Sequence, residues 1–148
     1  MNGWLLDTNV VSELRKPNCH SRVKSWSERY SSASFFLSRV TLAEIRYGIE
    51  QVKEDNPFRT ELEVWLEHRL RPWFAGRILD IDEQVILVRR RMIEIGRRQN
   101  YTFSQPDLFI AATAIVHGLC VVTRHVEDFL YVRVPVLNPW TDPAPRNT

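Results

Sequence analysis

This chain is short of the features that staple small folds, cradle phosphates or cross membranes. It has two cysteines in 148 residues, and neither Cys19 nor Cys120 belongs to a Cys-x-x-Cys or Cys/His spacing, so no disulfide framework or zinc site is indicated. Cys120 lies in the apolar run Leu119-Cys120-Val121-Val122 and reads as a small buried side chain. No glycine-rich loop follows an apolar run, which argues against a flavodoxin-like nucleotide binder. No apolar stretch approaches the roughly 20 residues of a membrane span. The first such stretch ends at Asp7, too early for the core of a secretory signal. The expectation is a soluble, cytoplasmic protein with no membrane contact. A large excess of one charge is also missing. With a net charge of only +2, any affinity for phosphates has to come from local patches.

What is present is an ordinary globular composition, 44% hydrophobic and 26% charged, in a length that suits one domain with a substantial core. Apolar runs and helical spacings alternate along it. A strand at 3–7 precedes helices at 8–15 and 21–31, with a break at Lys16-Pro17-Asn18. Phe35-Phe36-Leu37-Ser38 is a second strand, and Leu42, Ile45 and Ile49 mark a helix from Thr41 to Val52,. After a polar turn, a helix over 57–73 carries Leu62, Trp65, Leu66 and Leu70 on one side. A strand at 77–81 leads into a helix over 83–99, then a loop at 101–105 and an apolar helix from Leu108 to His117. Gly118 suits the cap of that helix. Strands follow at 119–123 and, with proline tolerated at an edge, at 134–137,. Strands separated by helices predict an α/β fold, an α/β/α sandwich around a central, mainly parallel sheet. Residues 1–140 are expected to form a single domain and 141–148 a flexible C-terminal tail,.

Four acids stand at junctions of these elements: Asp7, Glu44, Asp107 and Asp128. Each has a plain structural reading. Asp7 could cap the helix after it, and Thr41-x-x-Glu44 and Ser104-x-x-Asp107 both resemble capping boxes. Asp128 reads as a turn residue. Taken together they read differently. Ligands bind at the carboxyl ends of parallel strands where the winding reverses, and Asp7, Asp107 and the segment after the strand at 119–123 converge there. Carboxylates gathered in one place repel unless a cation neutralises them, and oxygen ligands suit Mg²⁺ or Mn²⁺.

The residues resemble those of PIN-domain ribonucleases, specifically the toxins of VapBC and FitAB toxin–antitoxin pairs. The likeness runs through Leu5-Leu6-Asp7-Thr8-Asn9-Val10-Val11-Ser12-Glu13, Val40-Thr41-Leu42-Ala43-Glu44-Ile45-Arg46-Tyr47-Gly48-Ile49 and Pro106-Asp107-Leu108-Phe109-Ile110-Ala111-Ala112-Thr113-Ala114. It continues in Val122-Thr123-Arg124, while Phe74-Ala75-Gly76-Arg77-Ile78-Leu79 and Asn138-Pro139-Trp140 resemble the FitB-like branch. The resemblance implies a metal-dependent endoribonuclease using Mg²⁺ or Mn²⁺, with an RNA substrate, a small antitoxin as partner and a homodimeric assembly. It implies Asp7, Glu44, Asp107 and Asp128 as catalytic acids, with Asp7 and Asp107 as metal ligands and Asn9 and Thr123 in support. The chain departs from the family at His125, where Asn or Asp is usual. That side chain could serve a softer metal, contact RNA or sit on the surface. Arg39, Arg46 and Arg124 are the expected RNA contacts, and the basic run Arg89-Arg90-Arg91 reads as a solvated face.

Two other classes compete. A haloacid-dehalogenase-like phosphatase would need a second aspartate where the chain has Asn9. A catalytically weakened PIN-like protein, acting by binding antitoxin or nucleic acid, is the alternative that His125 motivates.

Overall fold

The computed structural model of the chain describes residues 2–143. Five strands, β1 (Trp4–Leu6), β2 (Phe35–Ser38), β3 (Ile78–Leu79), β4 (Cys120–Val122) and β5 (Val136–Leu137), form one sheet in the order β3-β2-β1-β4-β5. Every pairing is parallel, with Trp4 opposite both Phe35 and Cys120 and Leu6 opposite Val122. The helices are α1 (Thr8–Arg15), α2 (Ser21–Arg29), α3 (Arg39–Glu50), α4 (Pro57–Trp65), α5 (Arg71–Trp73), α6 (Glu83–Arg98), α7 (Gln105–His117) and α8 (Glu127–Tyr131).

Side chains on a strand alternate between faces, and the two cores divide on that alternation. Trp4, Leu6, Phe35, Leu37, Cys120 and Val122 pack with Val10, Val23, Trp26 and Leu42 of α1, α2 and α3. Leu5, Leu119 and Val121 point the other way, against Val85 and Met92 of α6, Leu108 and Ala111 of α7 and Phe129 of α8. Both faces of β1 and β4 are thus covered, which is why these strands read as unbroken apolar runs. No helix among the described residues is long and apolar enough to cross a membrane.

Four details depart from the pattern read in the sequence. α3 starts at Arg39, because the Ser38 hydroxyl accepts from Val40 N at 3.1 Å and caps it. Thr41 therefore lies inside the helix with its hydroxyl buried, and Glu44 closes no capping box. The helix expected over 57–73 is interrupted by a π-helical turn, Leu66–Leu70. Pro72 has no N–H and its ring crowds the carbonyl of the preceding turn, so the turn ahead of it widens. α8 was not legible: with Phe129 its one buried residue, five residues give no periodicity. The expected tail begins tied down, with Asp142 Oδ2 accepting from Asn138 N at 2.8 Å and Arg22 donating to the Asp142 carbonyl at 2.9 Å. Residues 144–148 lie outside the described residues.

The hairpin of α6 and α7 depends on Gly96. A Cβ there would lie 2.8 Å from the Tyr101 carbonyl and would overlap the Phe103 ring, so glycine lets the 101–103 loop fold flat against α6. Gly96→Ala is expected to destabilise the protein by about 2 kcal/mol through overpacking, lowering Tm by about 5 °C. Thermal unfolding checks this; an unchanged Tm would mean that the loop does not need that approach.

Candidate functional site

The sheet order makes β1 the strand from which the chain winds both ways, so the loops after β1 and β4 part and leave a crevice between them,. Asp7 lies in that crevice immediately after β1, only 7% exposed. Its Oδ1 accepts from Thr8 N at 2.8 Å, so the capping reading holds. Its Oδ2 faces across the crevice and accepts from the Thr123 hydroxyl at 2.9 Å and, more weakly, from Asn9 Nδ2 at 3.4 Å. Thr123 Oγ1 in turn accepts from Asn9 Nδ2 and from His125 N, both at 3.1 Å. A hydroxyl has one hydrogen and two acceptor sites. With both acceptors filled, the Thr123 proton is directed onto Asp7. Asn9 completes the ring by accepting from Arg124 N at 3.0 Å.

Burial pushes the Asp7 carboxyl above its ordinary range, opposed by these hydrogen bonds and by the charge of His125. Glu44, half-buried on α3, is raised first by desolvation and then by the negative charge of Asp7. Asp107 stands in the first turn of α7. Desolvation, a hydrogen bond with Asp128 and the charges of Asp7, Asp128 and Glu44 push it from 3.8 to about 8. The four acids predicted from the sequence are therefore close enough to feel one another.

Asp128 is a helical residue of α8 and not a turn. Its Oδ1 accepts from the Tyr101 hydroxyl and its Oδ2 from Ser104 N at 3.0 Å. The second bond takes the backbone donor that Asp107 would have filled in a capping box, and the Ser104 side chain makes no cap bond. Asp107 is left facing the other acids. The bond to Asp128 also pushes the Tyr101 phenol above its usual range, so it remains a donor. Tyr101, absent from the sequence-based site, stacks on Tyr131 with ring centroids 3.7 Å apart. Nothing in a loop sequence marks which residue its hydroxyl meets.

The basic residues are less concentrated. Arg39 pairs with Asp80 at 2.7 Å on the surface. Arg46 is exposed on α3, and His125 is exposed on the loop after β4. Arg124 lies over the Trp140 ring, 5.1 Å from its centroid, and its carbonyl accepts from Asn138 Nδ2 at 3.3 Å. The Asn138-Pro139-Trp140 turn thus braces the loop that carries Thr123. Arg89 lies over the Phe109 ring at 4.4 Å and bonds to Gln105, while Arg90 and Arg97 pair with Glu94.

The donor set fits a hard divalent cation: carboxylate oxygens, raised together by burial and mutual repulsion, in a crevice walled by backbone and hydroxyl groups. Among the described residues no three His, Cys, Asp or Glu side chains close a cage on an ion by themselves. Mg²⁺ does not require one, since it is commonly held by one or two carboxylates and retained waters.

The sequence profile of the PIN domain matches residues 4–129. This chain belongs to the PIN-domain family. Toxin FitB of Neisseria gonorrhoeae is 36% identical to it over 138 residues, covering 93% of this chain and 99% of that protein. VapC ribonuclease Y4jK of Sinorhizobium fredii is 32% identical over 140 residues, covering 95% and 99%. The crystal structure of FitAcB from Neisseria gonorrhoeae superposes with a TM-score of 0.86 at 36% identity, covering 93% of this chain and 98% of that one. The structure of FitAB bound to an IR36 DNA fragment gives 0.87 at 33% identity, covering 95% and 98%.

A carboxyl raised from 3.8 to about 8 holds a proton in the folded chain that the unfolded chain has released. Its contribution to stability is complete below pH ~4 and is lost as pH rises through ~8. Asp107→Asn is therefore expected to stabilise the metal-free protein at pH 8.5. The gain is on the order of 1 kcal/mol after discounting for solvent around a half-exposed group, or about 3 °C in Tm. The gain should fade toward pH 5. A variant no more stable than the parent at pH 8.5 would show that the acids do not repel as described.

Proposed function

We propose that the protein is a metal-dependent endoribonuclease acting as the toxin of a bacterial type II toxin–antitoxin pair. The observation that carries this reading is the gathering of Asp7, Glu44, Asp107 and Asp128 at the β1/β4 crevice, with Asp107 pushed to about 8 by burial and its neighbours. The names of the FitB and VapC relatives support it.

Asp7 and Asp107 are the residues that would hold Mg²⁺ or Mn²⁺. Bound there, the ion supplies Lewis-acid chemistry, polarising a phosphate oxygen and acidifying a water. The remaining work falls to the chain. Thr8 N–H and the Thr123 hydroxyl fix the Asp7 carboxylate in one orientation, and Asn9 fixes Thr123. Glu44, made more basic by burial and by the charge of Asp7, accepts the proton of the attacking water on a carboxylate oxygen,. Water is the nucleophile in this reading: its oxygen bonds to phosphorus as the P–O bond to the leaving oxygen breaks, and the leaving oxygen takes up a proton from solvent. Arg124 and His125, exposed on the loop after β4, would meet an RNA backbone at the crevice, Arg39 would reach it by leaving Asp80, and Arg46, which lies toward α4, would contact RNA only beyond the crevice,. The partner would be a small antitoxin. The active assembly would be a homodimer built from the 1–140 domain, working in the cytoplasm, where RNA is found.

A panel of structured RNAs incubated with Mg²⁺ or Mn²⁺ tests this. Cleavage is expected with either ion, absent with EDTA, and reduced about 10²-fold or more in Asp7→Asn. Cleavage retained by a folded Asp7→Asn variant would take Asp7 out of the mechanism. Mn²⁺ binding without cleavage of any RNA, by folded protein free of antitoxin, would favour the weakened member that His125 suggests.

A further inference from the structure

Asp128 differs from the other three acids in what its oxygens hold: besides meeting the Asp107 carboxyl, one accepts from the Tyr101 hydroxyl and the other from Ser104 N at 3.0 Å. Those two donors belong to the loop that delivers α7, and Asp107 stands three residues beyond Ser104, in the first turn of that helix. Ser104 caps α7 without a side-chain bond of its own. The Tyr101 ring is clamped independently, stacked on Tyr131 of α8 and edge-on to Phe103 at 4.9 Å. Gly96 admits the loop against α6, as shown above.

We infer that Asp128 is a positioning residue: through Tyr101 and Ser104 it ties α8 to the start of α7 and so sets where Asp107 points, leaving ion-holding and proton transfer to Asp7, Glu44 and Asp107. This rests on the nuclease reading of the same crevice. Tyr101 and the Ser104 amide then join the functional apparatus of this chain, and Asp128 works as an acceptor of hydrogen bonds.

Asparagine and alanine at position 128 separate the two roles, because both delete the same charge. Asn can keep the bonds. Its Oδ1 accepts from Ser104 N, and its amide N–H donates to the Tyr101 oxygen, since a phenol can accept as well as donate. Ala keeps neither. Asp128→Asn is therefore expected to retain RNA cleavage within about threefold, and Asp128→Ala to lose about 10²-fold, as a mis-set catalytic group does. The loss should fall on kcat, with KM for RNA little changed. Tyr101→Phe, which keeps the ring stacking and removes only the hydroxyl, should lose about tenfold in the parent and nothing further in Asp128→Ala.

Amide hydrogen exchange gives a readout that does not depend on activity. Ser104 N–H should be protected in the parent and in Asp128→Asn, and exchange about tenfold faster in Asp128→Ala. Equal loss of cleavage in Asp128→Asn and Asp128→Ala would overturn the inference, because the charge itself would then be needed. So would a Ser104 amide unaffected by Asp128→Ala. Parent protein that cuts no RNA yet shows the expected exchange pattern would count against the nuclease reading and leave the tie between α8 and α7 standing.

Discussion

The hydrogen bond from the Thr123 hydroxyl to Asp7 Oδ2 joins the ends of β1 and β4, the two strands between which the sheet reverses its winding. The backbone ladder between them ends with Asp7 N donating to Val122 O at 2.9 Å, and beyond that bond the chain leaves the two strands toward opposite faces. The threonine closes that gap with a bond whose direction is forced, because Asn9 and His125 N occupy its acceptor sites. Asn9 in turn reaches Arg124, and the Asn138-Pro139-Trp140 turn holds Arg124 from the far side. The crevice is thus rigid on the side that carries Asp7.

The opposite wall is built by different means. There α7 carries small residues, Ala111, Ala112 and Ala114, all buried in the layer it shares with α6 and the sheet, and Asp107 stands in its first turn. Bringing acids together in a half-buried place opposes folding. The stabilising terms lie elsewhere, in two apolar layers containing side chains such as Phe35, Phe74 and Phe129 that are almost fully buried,. A fold with cores on both faces of its sheet can tolerate a repulsive rim at one end.

Much of this arrangement was legible in the residues. Strand runs buried on both faces are apolar throughout, and the alternating order of runs and helical spacings leaves few topologies other than a parallel sheet. Asp7 stood out because a carboxylate ending an apolar run has no reason to be there except to cap or to bind, and it does the first while placed for the second. The capping-box readings of Glu44 and Asp107 failed for a reason that spacing cannot reveal. In one case a better cap, Ser38, lies a turn earlier, and in the other Asp128, 24 positions beyond Ser104, takes the backbone donor. The Tyr101–Asp128 contact spans 27 residues and depends on how two helices cross, which no local pattern encodes. Arg124 was singled out for charge, yet it also faces the indole of Trp140, a pairing that only the return of the C-terminal turn creates.

The outermost strands, β3 and β5, are two residues each. Pro135, which has no N–H to offer, lies beside β5,. A neighbouring polypeptide looking for a ladder to extend would find almost no rungs on either side. Copies of this chain, and any protein that docks on it, must therefore meet it through helix surfaces or through the crevice. Association here becomes a matter of side-chain fit, in which residue identity decides the partner, and not of backbone pairing, which is open to any extended strand.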